Sequence, residues 1–109
     1  EAETGGPLPL GVIAARRDLE PATIDAVERC LGASVRFAMA APERPRPWIR
    51  AHAQELDDDV CARHIALYVN DFSVDLGEVG RAAVDELLRR GRAAGLLPAG
   101  RGPFREARR

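Results

Sequence analysis

The sequence predicts a mostly helical domain with one short strand at its N-terminal end. Three long stretches repeat apolar residues at spacings of three and four, which is the period of a helix with one apolar face. One stretch near the start is apolar and proline-paced without that period, which reads as a strand. At 109 residues there is room for one domain at most and a single modest core. Hydrophobic content of 46% beside 30% charged residues places the chain among ordinary globular proteins, because a disordered chain would lack the apolar residues that offset its ordering entropy.

The lead EAETGGPLPLGVIAARRDLEP is acidic and glycine-containing before it crosses Pro7 and Pro9 into the apolar run Leu10 to Ala15. Proline fixes its own φ and biases the preceding residue towards extended geometry, so PLPLGVIAA is expected to enter a strand. A lone strand leaves its ladder groups unpaired, and no later segment offers a partner. The rest of a sheet is therefore expected outside this chain. The period changes after Asp18. Pro21 suits a first helical turn, and Ile24, Val27, Leu31, Val35, Ala38 and Met39 mark an amphipathic helix over Ala22 to Ala40. Gly32 weakens that helix by about 1 kcal/mol relative to alanine unless close packing requires a small residue there.

Pro42, Pro45 and Pro47 punctuate the turn that follows, and Trp48 to His52 forms a short helix with Trp48 and Ile49 as expected buried anchors. Asp57 to Asp59 ahead of Val60 give a helix N-terminal signature, since a carboxylate accepts from unpaired amides and complements the dipole. The next helix covers Val60 to about Val69, with Cys61, Ile65 and Tyr68 on one stripe and His64 at its border. NDFSVDLG breaks it through Asn70, Asp71 and Ser73, which bond their own local backbone. The last helix runs from Glu78 to about Ala94 and is expected to bury Val79, Ala83, Val84, Leu87, Leu88 and Ala94, with Gly95 supplying a left-handed terminator. Residues 98–109 form a proline-, glycine- and arginine-rich tail, expected to be flexible.

Sixteen basic residues against seventeen acidic ones leave a net charge of -1, so no global field steers the chain to nucleic acid or an anionic membrane. No apolar run approaches the length of a membrane span, and no secretory signal opens the chain. Cys30 and Cys61 have no knuckle spacing and read as reduced core or near-core thiols of a cytoplasmic protein. The chain opens at Glu1 and its only methionine is Met39, from which a fragment of a longer polypeptide is expected.

The residues alone give thin chemistry. His64 has a usable intrinsic pKa, but no carboxylate stands beside it on the helix face to orient it, so a packed histidine is the plainer reading. His52 and His64 together supply too few ligands for zinc. Ser73 lacks a glycine elbow, Tyr68 reads as a core ring, and Asn70 as a turn residue. GGPLPLG lacks the spacing of a phosphate loop, and the aspartate run 57–59 lacks that of a calcium loop.

PLPLG at 7–11, ARRDL at 15–19, HAQEL at 52–56 and HIALYVNDFSVDLGEVG at 64–80 resemble, in this order and spacing, the C-terminal region of the 1,4-dihydroxy-6-naphthoate synthase family. That family serves the menaquinone route that passes through futalosine. The similarity runs from Gly6 to about Leu97. It implies an α/β fold of two lobes, like type 2 periplasmic binding proteins, with residues 1–97 a mostly helical C-terminal portion carrying one N-terminal strand.

The resemblance also implies a lyase that splits cyclic dehypoxanthine futalosine into 1,4-dihydroxy-6-naphthoate and a dihydroxyacetone fragment. Such a cleavage needs a positioned base and stabilisation of enolate charge, and neither metal nor redox cofactor is expected. The family's proposed base is a histidine in a His-Glu-Gly segment upstream of PLPLG, so His64 does not inherit that role and no catalytic residue is expected in this chain. Pro9, Leu10 and Gly11 are expected at the substrate cleft, with Leu10 touching substrate. The expected partners are a small-molecule substrate, the missing N-terminal region of the same polypeptide and, through apolar helix faces, a possible second copy. Three alternatives stay open: a non-enzymatic small-molecule binder, the related chorismate dehydratase, and a stand-alone helical interaction module with a sealed apolar face.

Overall fold

The computed structural model describes residues 3–54 and 57–105. Glu55 and Leu56 of the HAQEL stretch and the end of the tail, 106–109, lie outside the described residues. Five helices follow one another in the chain: α1 (Pro21–Ala40), α2 (Arg46–His52), α3 (Asp58–Tyr68), α4 (Asp71–Val74) and α5 (Gly77–Ala93). They belong to two compact units, Ala15–Asp75 and the pair of segments Glu1–Ala14 and Leu76–Arg109.

Among the described residues there is no β-strand, which overturns both the expected N-terminal strand and the two-lobed α/β, periplasmic-binding-protein-like fold. Residues 7–16 are irregular, and Ile13 is 83% exposed. The reason is pairing. Pro7 and Pro9 have no amide to donate, and no second strand among the described residues offers a ladder, so the apolar run has nothing to bond across to.

In the unit Ala15–Asp75, α1 begins where Pro21 needs no helical partner, and the Glu20 carbonyl accepts from Thr23 and Ile24 at 2.9 and 3.2 Å. It packs against α4. Gly32 is the buried residue of α1, because the Val74 carbonyl approaches to where a side chain would begin. The second helix starts at Arg46, with Pro47 in its first turn, two residues earlier than the sequence suggests. Asp57 caps α3 as expected, its Oδ1 accepting from the Asp59 and Val60 amides at 2.9 and 3.0 Å. Arg50 Nε donates to Asp58 Oδ1 at 2.8 Å and ties α2 to the first turn of α3.

In the other unit, α5 leaves Gly77 at φ +58° and ends at Gly95, whose φ of +72° is the left-handed terminator the sequence predicts. Leu97 folds back over Gly91, where an added Cβ would stand 2.7 Å from Leu97 Cδ1. The Arg81 guanidinium lies 4.9 Å from the centre of the Phe104 ring.

Burial falls well short of the sequence expectation. Val84 is the buried apolar residue among those described, at 8% exposure, while Val79 and Leu87 of the same helix are exposed. Trp48, expected as an anchor, is 67% exposed, and Val27, Leu31 and Met39 of α1 are exposed as well. Amphipathic spacing places these side chains on one face without supplying a surface to cover it.

Candidate functional site

Pro9 is half-buried, Leu10 is 73% exposed, and Gly11 has open space where a side chain would stand. The stretch leading into them is tied down. Thr4 Oγ1 donates to the Gly6 carbonyl at 3.2 Å and accepts from the Gly6 amide at 3.4 Å, closing a turn in which Gly5 takes φ +68°. Beyond that turn Pro7 and Pro9 fix two backbone angles and restrict Gly6 and Leu8. Leu10 is thus an aliphatic side chain standing free on a stiff segment.

On α5, Glu86 accepts from Arg89 Nε and Nη2 at 2.8 Å each and from Arg90 Nε at 2.7 Å. These hydrogen bonds, from Arg89 first and then Arg90, hold the Glu86 carboxyl down to about 2 and raise Arg89 in turn. Arg90 also reaches the lead, Nη2 donating to the Glu3 carbonyl at 3.0 Å. The cluster went unread in the sequence, although ELLRR carries its signal: an acid followed at three and four residues by arginines.

The histidines do not meet in a site. His64 and Tyr68 share a stripe of α3, as their spacing requires, with ring centres 4.6 Å apart and planes tilted by 49°. His52 stacks on Trp48 at 4.1 Å, and its Nδ1 lies 2.8 Å from the Trp48 carbonyl. Asn70 and Ser73 do more than break a helix. Asn70 Oδ1 accepts from the Phe72 amide at 3.0 Å, while Ser73 Oγ accepts from the Asn70 amide at 3.1 Å, so the pair starts α4 as a capping box. Ser73 is committed to that cap, with no base beside it among these contacts.

The structure adds an open groove of about 370 Å³ in the unit Ala15–Asp75, lined by Asp25, Glu28, Arg29, Gly32, Arg36, Val74 and Asp75. The α1 residues repeat at helical spacing, but the groove exists only because α4 packs against Gly32, a contact the sequence does not announce. Its two arginines face three carboxylates, a self-compensating set with neither a nucleophile nor an isolated anion pocket. Among the described residues, no three His, Cys, Asp or Glu side chains come together as a metal site. Neither Cys30 nor Cys61 takes part in a disulfide. Cys61 is half-buried, but Cys30 is exposed on α1, against the near-core position expected of it. No helix among the described residues is long and apolar enough to cross a membrane.

Comparison with known proteins supplies what this geometry lacks. A family model described as menaquinone biosynthesis matches residues 1–93. A 1,4-dihydroxy-6-naphthoate synthase of Streptomyces coelicolor is 50% identical over 99 residues, covering 91% of this chain and 35% of that protein. One from Thermus thermophilus is 49% identical over 96 residues, covering 88% of this chain and 35% of its own length. The chain thus spans about a third of the length of the curated relatives it matches.

Proposed function

The chain belongs to the menaquinone-biosynthesis family, and we propose that it acts as the C-terminal portion of a 1,4-dihydroxy-6-naphthoate synthase. The carrying observation is identity of 49–50% over about nine-tenths of the chain to two synthases from different organisms. The reaction is a lyase step that splits cyclic dehypoxanthine futalosine into 1,4-dihydroxy-6-naphthoate and a dihydroxyacetone fragment. A base must take a proton and donors must stabilise enolate charge for that bond to break.

In this reading the chain supplies shape rather than proton transfer. Leu10, flanked by Pro9 and Gly11, makes the apolar contact to substrate. The prolines limit the conformations the segment loses on binding. The base comes from the rest of the enzyme, since His52 is engaged with Trp48 and His64 with Tyr68. The isolated chain therefore turns over no substrate. A self-sufficient helical module would seal its apolar faces, and the exposure of Val27, Phe37, Leu67, Val79 and Leu87 counts against that alternative.

The test is a chimera in which this chain replaces the matching span of the Streptomyces coelicolor synthase. Formation of 1,4-dihydroxy-6-naphthoate by the chimera, with none from the isolated chain, supports the reading. A folded chimera that binds the substrate without cleaving it would favour a non-enzymatic binder.

A further inference from the structure

We propose that Arg90 is a positioning residue that latches the N-terminal lead to α5 and thereby sets the placement of Leu10; this rests on the substrate contact assigned to Leu10 above. The guanidinium is held from behind, because its Nε donates to Glu86 Oε1 at 2.7 Å while Arg89 grips the same carboxylate through two bonds of 2.8 Å. Its far end is then directed at the lead. Nη2 donates to the backbone carbonyl of Glu3 at 3.0 Å, and Nη1 lies 3.9 Å from Glu3 Oε2. The hydrogen bond joins residues 87 positions apart in the sequence, so it fixes tertiary placement rather than local structure.

The segment between the latch and Leu10 is built to transmit that placement. The Thr4 side chain closes the turn over Gly5 and Gly6, and Pro7 and Pro9 each remove a φ rotation and restrict the residue before them. The Thr4-closed turn and the two fixed proline φ angles couple Glu3 to Leu10, so loss of the anchor shifts the segment. Arginine suits the task because one planar group donates to two acceptors in fixed directions. A lysine ammonium at this position keeps the charge but cannot serve the Glu86 carboxylate and the Glu3 carbonyl with the same geometry.

The experiment uses the chimera with cyclic dehypoxanthine futalosine as substrate, comparing Arg90→Lys with Leu10→Ala. Arg90→Lys is expected to raise KM by about three- to tenfold at unchanged kcat, the loss of one charge-assisted contact. Amide exchange at Gly6, whose amide donates to Thr4 Oγ1, should quicken while that of α5 stays as it was, which separates a released lead from a damaged helix. Unchanged KM and exchange in Arg90→Lys, with KM raised in Leu10→Ala, would overturn the latch. An unchanged KM in Leu10→Ala would instead remove the substrate-contact reading on which the latch depends.

Discussion

Gly32 of α1 lies against the end of α4, so closely that a Cβ added to it would stand 3.2 Å from the Val74 carbonyl oxygen and 3.5 Å from Arg36 Nη1. The glycine costs the helix about 1 kcal/mol in propensity, and the close approach is what that cost permits. Gly32→Leu, made in the chimera with the Streptomyces coelicolor synthase, is expected to destabilise it by about 1–3 kcal/mol through overpacking, in urea denaturation followed by helical circular dichroism. Gly32→Ala should stay within about 1 kcal/mol of the parent, because gained propensity offsets a contact that α4 can relieve by a small shift. A stabilised Gly32→Leu variant would mean that α4 does not pack there.

Asp57 accepts from two amides at the start of α3, and the exposed carboxylate also meets the positive end of the helix. Asp57→Ala should cost about 1 kcal/mol and Asp57→Asn less, since asparagine keeps the acceptor and gives up only the charge. Faster amide exchange at Asp59 and Val60 is the direct readout.

Asn70 and Ser73 cap each other's backbone at α4. Asn70→Ala should therefore loosen α4 by about 1 kcal/mol and relax the contact with Gly32 along with it. In the double variant Asn70→Ala/Gly32→Leu, the losses should add to less than their sum, because the cap and the glycine act through the same helix.

The Glu86 carboxyl lies well below its usual 4.5, at about 2, because Arg89 and Arg90 hydrogen-bond its charged form. A group depressed on folding contributes stability above its unfolded value. That contribution should persist at neutral pH and fade as pH falls from about 4.5 through about 2. A carboxyl-carbon NMR titration should place the Glu86 midpoint well below 4.5, and Arg89→Gln should move it upward. Salt near 1 M should have the same direction of effect, since these groups are partly exposed and screened.

What the sequence disclosed follows the range of the forces involved. The helices α1, α3 and α5, the Asp57 cap and the Gly95 terminator depend on residues within a turn or two of one another, so spacing and capping chemistry suffice to find them. The expected strand at Leu10 to Ala15 failed because a strand belongs to two segments, and the apolar pattern of one does not create the other. Burial of Trp48, Val79 and Leu87 failed for a similar reason: periodicity says which face is apolar, not what lies against it. The groove beside Gly32 and the reach of Arg90 to Glu3 are long-range contacts, to which local spacing is blind. Motif order in PLPLG, ARRDL and HIALYVNDFS nonetheless identified the family, because several short matches in register carry more information than any local pattern.

The role of this chain as part of a synthase is tested most directly by comparing product formation by the Streptomyces coelicolor synthase carrying it with that of the 109-residue chain alone. The chimera is expected to form 1,4-dihydroxy-6-naphthoate and the isolated chain none. Turnover by the isolated chain, or a folded chimera that makes no product, would rule out that role.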